Sequence, residues 1–127
     1  MLLESKRLES ENVKVISGNV VFTKGDLTLK CQQGQHIENL GIVILYDEVS
    51  STKGELSFIA DTLKFYSIKN QLLGIGNSHA WTPKYDLKAD SITIFTQQDS
   101  GIASGNVTLI QNGQILTAEK IQKRLIS

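Results

Sequence analysis

Cysteine occurs once in this 127-residue chain, at Cys31, and a single thiol excludes an internal disulfide framework. Proline also occurs once, at Pro83. Charge of one sign is missing: thirteen Lys and Arg balance thirteen Asp and Glu, and Lys120, Lys123 and Arg124 form the one short basic group. Nucleic acid, which requires a basic stripe, is therefore not an expected partner. No apolar run approaches the roughly 18 residues of a membrane-spanning helix, and Met1-Leu2-Leu3-Glu4 turns acidic too soon for a signal peptide. Catalytic fingerprints are absent as well. There is no Gly-x-Ser-x-Gly, Walker-type or dinucleotide motif, and His36 and His79 have no Cys, His or carboxylate neighbour at metal-ligand spacing. Neither an enzyme nor a bound cofactor or metal is expected.

What the chain does contain is a period. Gly18-Asn19, Asp47-Glu48, Gly76-Asn77 and Gly105-Asn106 lie 29 residues apart, and so do Cys31-Gln32, Ala60-Asp61, Ala89-Asp90 and Ala118-Glu119. Two places before the second ladder stands an apolar column of Leu29, Phe58, Leu87 and Leu116. Two ladders in one register imply a supersecondary unit stacked on copies of itself. The length suits a single domain, 1–127. Cys31, aligned with three alanines, reads as a small core filler. A half-repeat is under way from the first residues, so any export signal or anchor is expected upstream of Met1.

Alternation assigns the repeating unit to β-structure. Val13 and Val15, Val20 and Phe22, Leu27 to Cys31, Leu56 to Ala60, Leu63 and Phe65, Leu87 and Ala89, and Ile92 and Ile94 place apolar residues at every second position. Turn-forming residues separate these runs at Lys24-Gly25-Asp26, Lys53-Gly54-Glu55, Lys69-Asn70-Gln71, Thr82-Pro83-Lys84, Asp99-Ser100-Gly101 and Asn112-Gly113-Gln114. The spacing predicts about eight long antiparallel strands, roughly two per repeat.

Midway along each strand the apolar parity is read to flip: at Ala60-Asp61 between Phe58 and Leu63, and at Gly-Asn between Leu73 or Ile102 and the residues that follow, such as Val107 and Leu109. Gly and Asn tolerate positive φ, so each flip predicts a bend or bulge. Bends aligned on successive strands crease the sheet into two facing leaves with the apolar residues between them, an all-β, open, V-shaped half jelly roll. Its end strands, 11–23 and 114–125, are free edges able to add further strands.

Leu8-Glu9-Ser10 through Ile16-Ser17-Gly18-Asn19-Val20-Val21-Phe22, then Gly25-Asp26-Leu27-Thr28-Leu29, Ala60-Asp61-Thr62-Leu63 and Ala103-Ser104-Gly105-Asn106-Val107 form a recognisable series. Over nearly its whole length the chain resembles the OstA-like, or LptA-type, family of periplasmic lipopolysaccharide-transport proteins. The resemblance implies a twisted, V-shaped β jelly roll in the periplasm that passes lipopolysaccharide or a similar glycolipid along an apolar groove toward the outer membrane. It also implies stacking on related domains through edge strands, head-to-tail homo-oligomers included, and no covalent chemistry. The groove residues it suggests are Phe22, Phe58, Leu63, Phe65, Leu87, Ile92, Ile94, Val107, Leu109 and Leu116. Each acyl methylene moved out of water contributes about 0.8 kcal/mol, so such a trough can shelter lipid tails while the sugar stays in solvent. The chain departs from the pattern at Asp47-Glu48-Val49, at Ser78 after Gly76-Asn77, and at Cys31-Gln32.

The same columns also suit plain core packing. A structural β-repeat scaffold or filament module of the cell envelope, dry inside, is the second reading; a β-solenoid carbohydrate enzyme ranks last, for want of clustered carboxylates. Asp61, Asp90 and Glu119 lack the Gly-rich nonapeptide of a calcium ladder and read as bend residues bonded to local amides. Trp81 with Tyr85 suits either a cap on an apolar layer or a sugar- or lipid-stacking pair. The basic group either meets lipid phosphates or guards an edge strand against aggregation.

Overall fold

The computed structural model describes residues 13–126. The half-repeat expected from the first residues, the Leu8-Glu9-Ser10 segment and the start of the first edge strand at Glu11 lie outside the described residues. Ten strands follow one another: β1 (Val13–Lys24), β2 (Leu27–Ile37), β3 (Ile42–Tyr46), β4 (Ser50–Lys53), β5 (Leu56–Ile59), β6 (Thr62–Tyr66), β7 (Gln71–Thr82), β8 (Tyr85–Phe95), β9 (Ser100–Gln111) and β10 (Gln114–Arg124), with one 3-10 turn at Glu38–Leu40. Every pairing is antiparallel and all strands belong to one sheet.

The ten strands make eight long passes. β2 pairs with β4 through Leu27 to Lys30 and with β3 through Gln33 to Ile37. β7 likewise pairs with β6 through Gln71 to Ile75 and with β5 through His79 to Trp81. Thus β3 with β4, and β5 with β6, are single passes interrupted midway. The first interruption falls at Asp47 and Glu48, which have φ of 70° and 57° without being glycine; the second falls at Ala60-Asp61.

The crease runs through four left-handed pairs. Gly18 and Asn19, Asp47 and Glu48, Gly76 and Asn77, and Gly105 and Asn106 all have positive φ. Glycine has no Cβ to clash in this region, and asparagine and aspartate tolerate it better than other residues. At three of these pairs two residues oppose one on the neighbouring strand: Gly18-Asn19 faces Gln32, Gly76-Asn77 faces Asp90, and Gly105-Asn106 faces Asp90 on one side and Glu119 on the other. That is the two-against-one count of a β-bulge, which bends the strand locally.

The bulge corrects the expected parity flip. Inward parity changes in the strands that carry the single residue: Leu87 and Ala89 are buried before Asp90, Ile92 and Ile94 after it. In the Gly-Asn strands it does not change. β7 turns Leu72 and Ala80 inward and β9 turns Ala103, Val107 and Leu109 inward, while Leu73 and Ile102 are half-exposed. The extra bulge residue restores the two-residue period on its own strand, so the slip survives only on the partner.

Folding along this line sets one leaf, with β4, β5 and the halves of the long strands beside them, against the other, with β3, β6 and the remaining halves. Leu29, Phe58, Leu87 and Val107 from the first meet Leu45, Leu63, Phe65, Leu72, Ile92 and Ile94 from the second in one apolar cluster. Small residues make room for large ones. A Cβ added at Gly74 would lie 2.4 Å from Phe58 Cζ, so the absence of a side chain there is what admits the Phe58 ring. Among the described residues no helix is long and apolar enough to cross a membrane.

Candidate apolar groove and strand edges

Eight of the ten residues assigned to a groove lie in the packed seam between the leaves. Phe58, Leu63, Phe65, Leu87, Ile92, Ile94, Val107 and Leu109 are all between 0% and 9% exposed. The other two mark the ends of the seam. Phe22, on β1, is half-buried, with its ring 5.9 Å from Phe65 and 6.1 Å from His36. Leu116, on β10, is 54% exposed and continues the inward row that Leu87 and Leu109 begin, since Leu87 is paired with Leu109 and Leu109 with Leu116. Ile115 beside it is also exposed, so this stretch of β10 is uncovered on both faces.

Side chains lace the long mouth of the V, opposite the crease. The Lys24 ammonium donates to the Ser67 carbonyl at 3.1 Å. Lys53 Nζ stands 3.0 Å from Asp99 Oδ1 and 3.5 Å from Asp26 Oδ1. Near the C-terminal end the Tyr85 hydroxyl donates to the Leu125 carbonyl at 2.9 Å, and the Leu125 and Ile126 amides donate to the Asp99 carbonyl at 2.7 and 3.1 Å. Leu125 thereby plugs the seam, reaching the space over Gly101. Between the leaves there remains a cavity of about 10 Å³ beside Leu27, Phe58, Leu72 and Ile94, room for at most one water and no acyl chain.

These ties carry perturbed groups. Burial alone lowers Lys53, but the hydrogen bond and charge of Asp99, with Asp26 behind it, outweigh that and hold its pKa above the ordinary value. Burial pushes Tyr85 up to about 12. Lys123, whose ammonium lies 4.3 Å from the centroid of the Tyr85 ring, is lowered by burial. Tyr85, Lys123, Leu125, Leu56 and Pro83 border an open cavity of about 520 Å³ at this end. Burial also raises the Cys31 thiol, which leaves it an inert filler.

Two of the crease carboxylates, Asp61 and Asp90, bond across strands and not to local backbone amides. Asn77 Nδ2 donates to Asp61 Oδ2 and Asn106 Nδ2 to Asp90 Oδ2, each at 3.0 Å. Gln32 exchanges bonds with Asn19 at 3.2 and 3.4 Å. Trp81 and Tyr85 do not form a pair: Tyr85 turns inward, while Trp81 lies 4.5 Å from the His79 ring. His79 Nε2 in turn lies 2.7 Å from Asp86 Oδ1. Sequence spacing missed this contact, although the two residues flank the predicted Thr82-Pro83-Lys84 turn, which brings them together. Among the described residues no three His, Cys, Asp or Glu gather where they could hold a metal.

No family model matches the chain, and no curated protein matches it by sequence. Solved structures do. The chain is similar to LptH, the LptA-homologous periplasmic component of the lipopolysaccharide transport device from Pseudomonas aeruginosa, with a TM-score of 0.65 and 15% identity over 93% of this chain and 81% of that one. At that identity the likeness is one of fold: this chain has an LptA-like, all-β, antiparallel jelly roll.

Proposed function

We propose that this chain is a non-enzymatic periplasmic module that binds lipopolysaccharide or a similar glycolipid and passes it toward the outer membrane, its acyl chains held between the two leaves and its edge strands docked to related domains. The observation that supports this best is the apolar seam itself, which runs the length of the sheet and ends uncovered at β10, whose Leu116 and Ile115 are exposed and whose outer edge meets no described strand. Exposed apolar surface at the end of a continuous seam is what a chain-like ligand or a like module would cover. The fold shared with LptH is the second support. With the mouth laced, a lipid tail enters by parting the leaves, displacing side chains such as Phe65 and Ile94 against each other instead of filling a void.

The test is capture of lipopolysaccharide, and of its saccharide stripped of acyl chains, followed by native mass spectrometry. A complex with the acylated form alone is the expected result. Leu116→Glu and Phe22→Glu are the informative variants, because Phe65 and Ile94 are 1% and 2% exposed and a charge there would unfold the protein before testing the groove. Loss of capture in a folded Leu116→Glu protein supports the reading. A second reading, a β-repeat scaffold of the cell envelope, is favoured by the closed interior; oligomers that take up no lipid would decide for it.

A further inference from the structure

Among the described residues, the crease carboxylates follow a rule that leaves one acid and one Gly-Asn pair without a partner on their outer sides. Asp61 on the β5–β6 pass and Asp90 on β8 each reach forward to the Gly-Asn pair of the next strand. Asp61 takes Gly76 and Asn77, and Asp90 takes Gly105 and Asn106. The fit is close. A Cβ on Gly76 would lie 2.6 Å from Asp61 Oδ2, and one on Gly105 would lie 2.5 Å from Asp90 Oδ2, so the carboxylate occupies the room the glycine leaves. Where the pair is Asp47-Glu48, the residue facing it is the neutral Gln32, whose backbone N–H donates to the Asp47 carbonyl at 2.8 Å. A carboxylate there would meet two more. On its forward side, then, each acid meets a Gly-Asn pair and Gln32 meets Asp-Glu, while the Gln32 side chain bonds back to Asn19.

Glu119 is the next member of the acid column, on β10, and no strand follows it among the described residues. Gly18 and Asn19 are the Gly-Asn pair of β1, the strand at the other end of the sheet. No described residue lies within 4 Å of the place where a Gly18 Cβ would stand. The Asn19 side chain accepts from Gln32, whereas Asn77 and Asn106 donate theirs to carboxylates. We infer that Glu119 and the Gly18-Asn19 pair are the two halves of one intermolecular crease joint, so that β10 of one copy docks on β1 of a second copy in a single register set by this carboxylate. The inference rests on the edge-strand docking proposed above and adds its register and the residue that selects it.

A separate observation agrees with that register. When the β8–β9 pairing, in which Leu87 faces Leu109 and Asp86 faces Ile110, is laid onto the joint, Leu116 faces the second copy's Phe22 and Ile115 faces its Thr23. The exposed Leu116 and half-buried Phe22 then cover each other, and the inward row of Leu87, Leu109 and Leu116 continues into Phe22 and Leu29 of the second copy. A register two residues away would leave the Glu119 carboxylate against extended backbone that has no left-handed pair to receive it.

The test uses the whole chain carrying Cys31→Ala, with Ile115→Cys combined with either Thr23→Cys or Val21→Cys; Ile115, Thr23 and Val21 are all exposed, so folding is spared. Oxidation is expected to link copies through positions 115 and 23 and not through 115 and 21. In sedimentation, Glu119→Lys is expected to weaken self-association on the order of tenfold, the scale of one charge-assisted hydrogen bond at a partly exposed site. Copies that associate but link through 115 and 21, or that ignore Glu119→Lys, overturn the register while leaving edge docking intact. Copies that do not associate at all overturn edge docking and this inference with it.

Discussion

Lys53 and Asp99 lie 3.0 Å apart across the mouth of the V, joining the β4–β5 turn of one leaf to the β8–β9 turn of the other. The Lys53 side chain is 16% exposed and that of Asp99 35%, so the pair is neither a surface bridge screened by water nor a fully buried one. With Lys24 on Ser67 and Tyr85 on Leu125, it holds shut a seam that would otherwise present a trough.

Lys53→Met should therefore change access more than stability. An ion pair of this exposure contributes about 1 kcal/mol or less, so the melting temperature should move little, while an apolar fluorescent probe should enter the seam faster. The raised pKa of Lys53 gives the direction with pH. Its contribution is complete below the ordinary value of 10.5 and is lost as pH climbs through the higher value in the folded protein. Probe entry into the unaltered protein should accordingly quicken above that pH and be indifferent to pH near neutrality. Equal entry rates in the two proteins would remove Lys53 from any gating role.

Tyr85→Phe removes the donor to the Leu125 carbonyl and leaves that buried acceptor unmatched, at a cost of about 1 to 3 kcal/mol. Because burial raises Tyr85 from 10.0 to about 12, the folded protein holds its phenol proton more tightly than the unfolded chain does. Stability from this source is complete below pH 10 and declines as pH rises through about 12. Urea titration across that range should show a steeper decline in the native protein than in Tyr85→Phe, where the loss that remains is that of the Lys53 pair.

At the crease, Gly105→Ala combines two penalties. The residue has φ of +83°, and the new Cβ would press on the Asp90 carboxylate. Together these should cost about 1 to 3 kcal/mol. Adding Asp90→Gly removes the Oδ2 contact at 2.5 Å and the Cβ contact at 2.9 Å but not the backbone strain, so the double variant should recover part of the loss, measured as a coupling energy in a double-mutant cycle. Strict additivity would mean that the carboxylate and the glycine do not share space.

Gly74→Ala tests the seam. Its Cβ would strike the Phe58 ring, and overpacking of this kind costs about 1 to 3 kcal/mol. Phe58→Leu should be destabilising alone and milder when combined with Gly74→Ala, because the smaller side chain vacates the space the methyl needs. Chemical denaturation of the four proteins decides it.

Much of this architecture was legible in the residues. The bends at Gly18-Asn19, Gly76-Asn77 and Gly105-Asn106 follow from residue types that accept positive φ, whereas Asp47-Glu48, which stands in the same ladder as a departure from Gly-Asn, does not advertise the positive φ it adopts. The turns and both edge strands were readable for the same reason, local chemistry. Parity was not. Leu73 and Ile102 were assigned inward, yet the inward residues are Leu72 and Ala103. The face taken by a residue beyond a bulge depends on how many residues the partner strand sets against it, and that count is a property of the pair.

The groove divides along the same line. Phe58, Leu63, Phe65, Leu87, Ile92, Ile94, Val107 and Leu109, the residues the family resemblance suggests, are buried in the seam, and within each run a period of two keeps them on one face. Closure of the seam lay beyond its reach. Lys53 and Asp99 are 46 residues apart, and Tyr85 and Leu125 are 40 apart. Nothing in either pair's local sequence announces its partner. Periodicity and residue type placed the creases and the apolar face, since both act on neighbours along the chain; whether the leaves stand apart or locked was decided by contacts between turns that only the folded sheet brings within hydrogen-bonding distance.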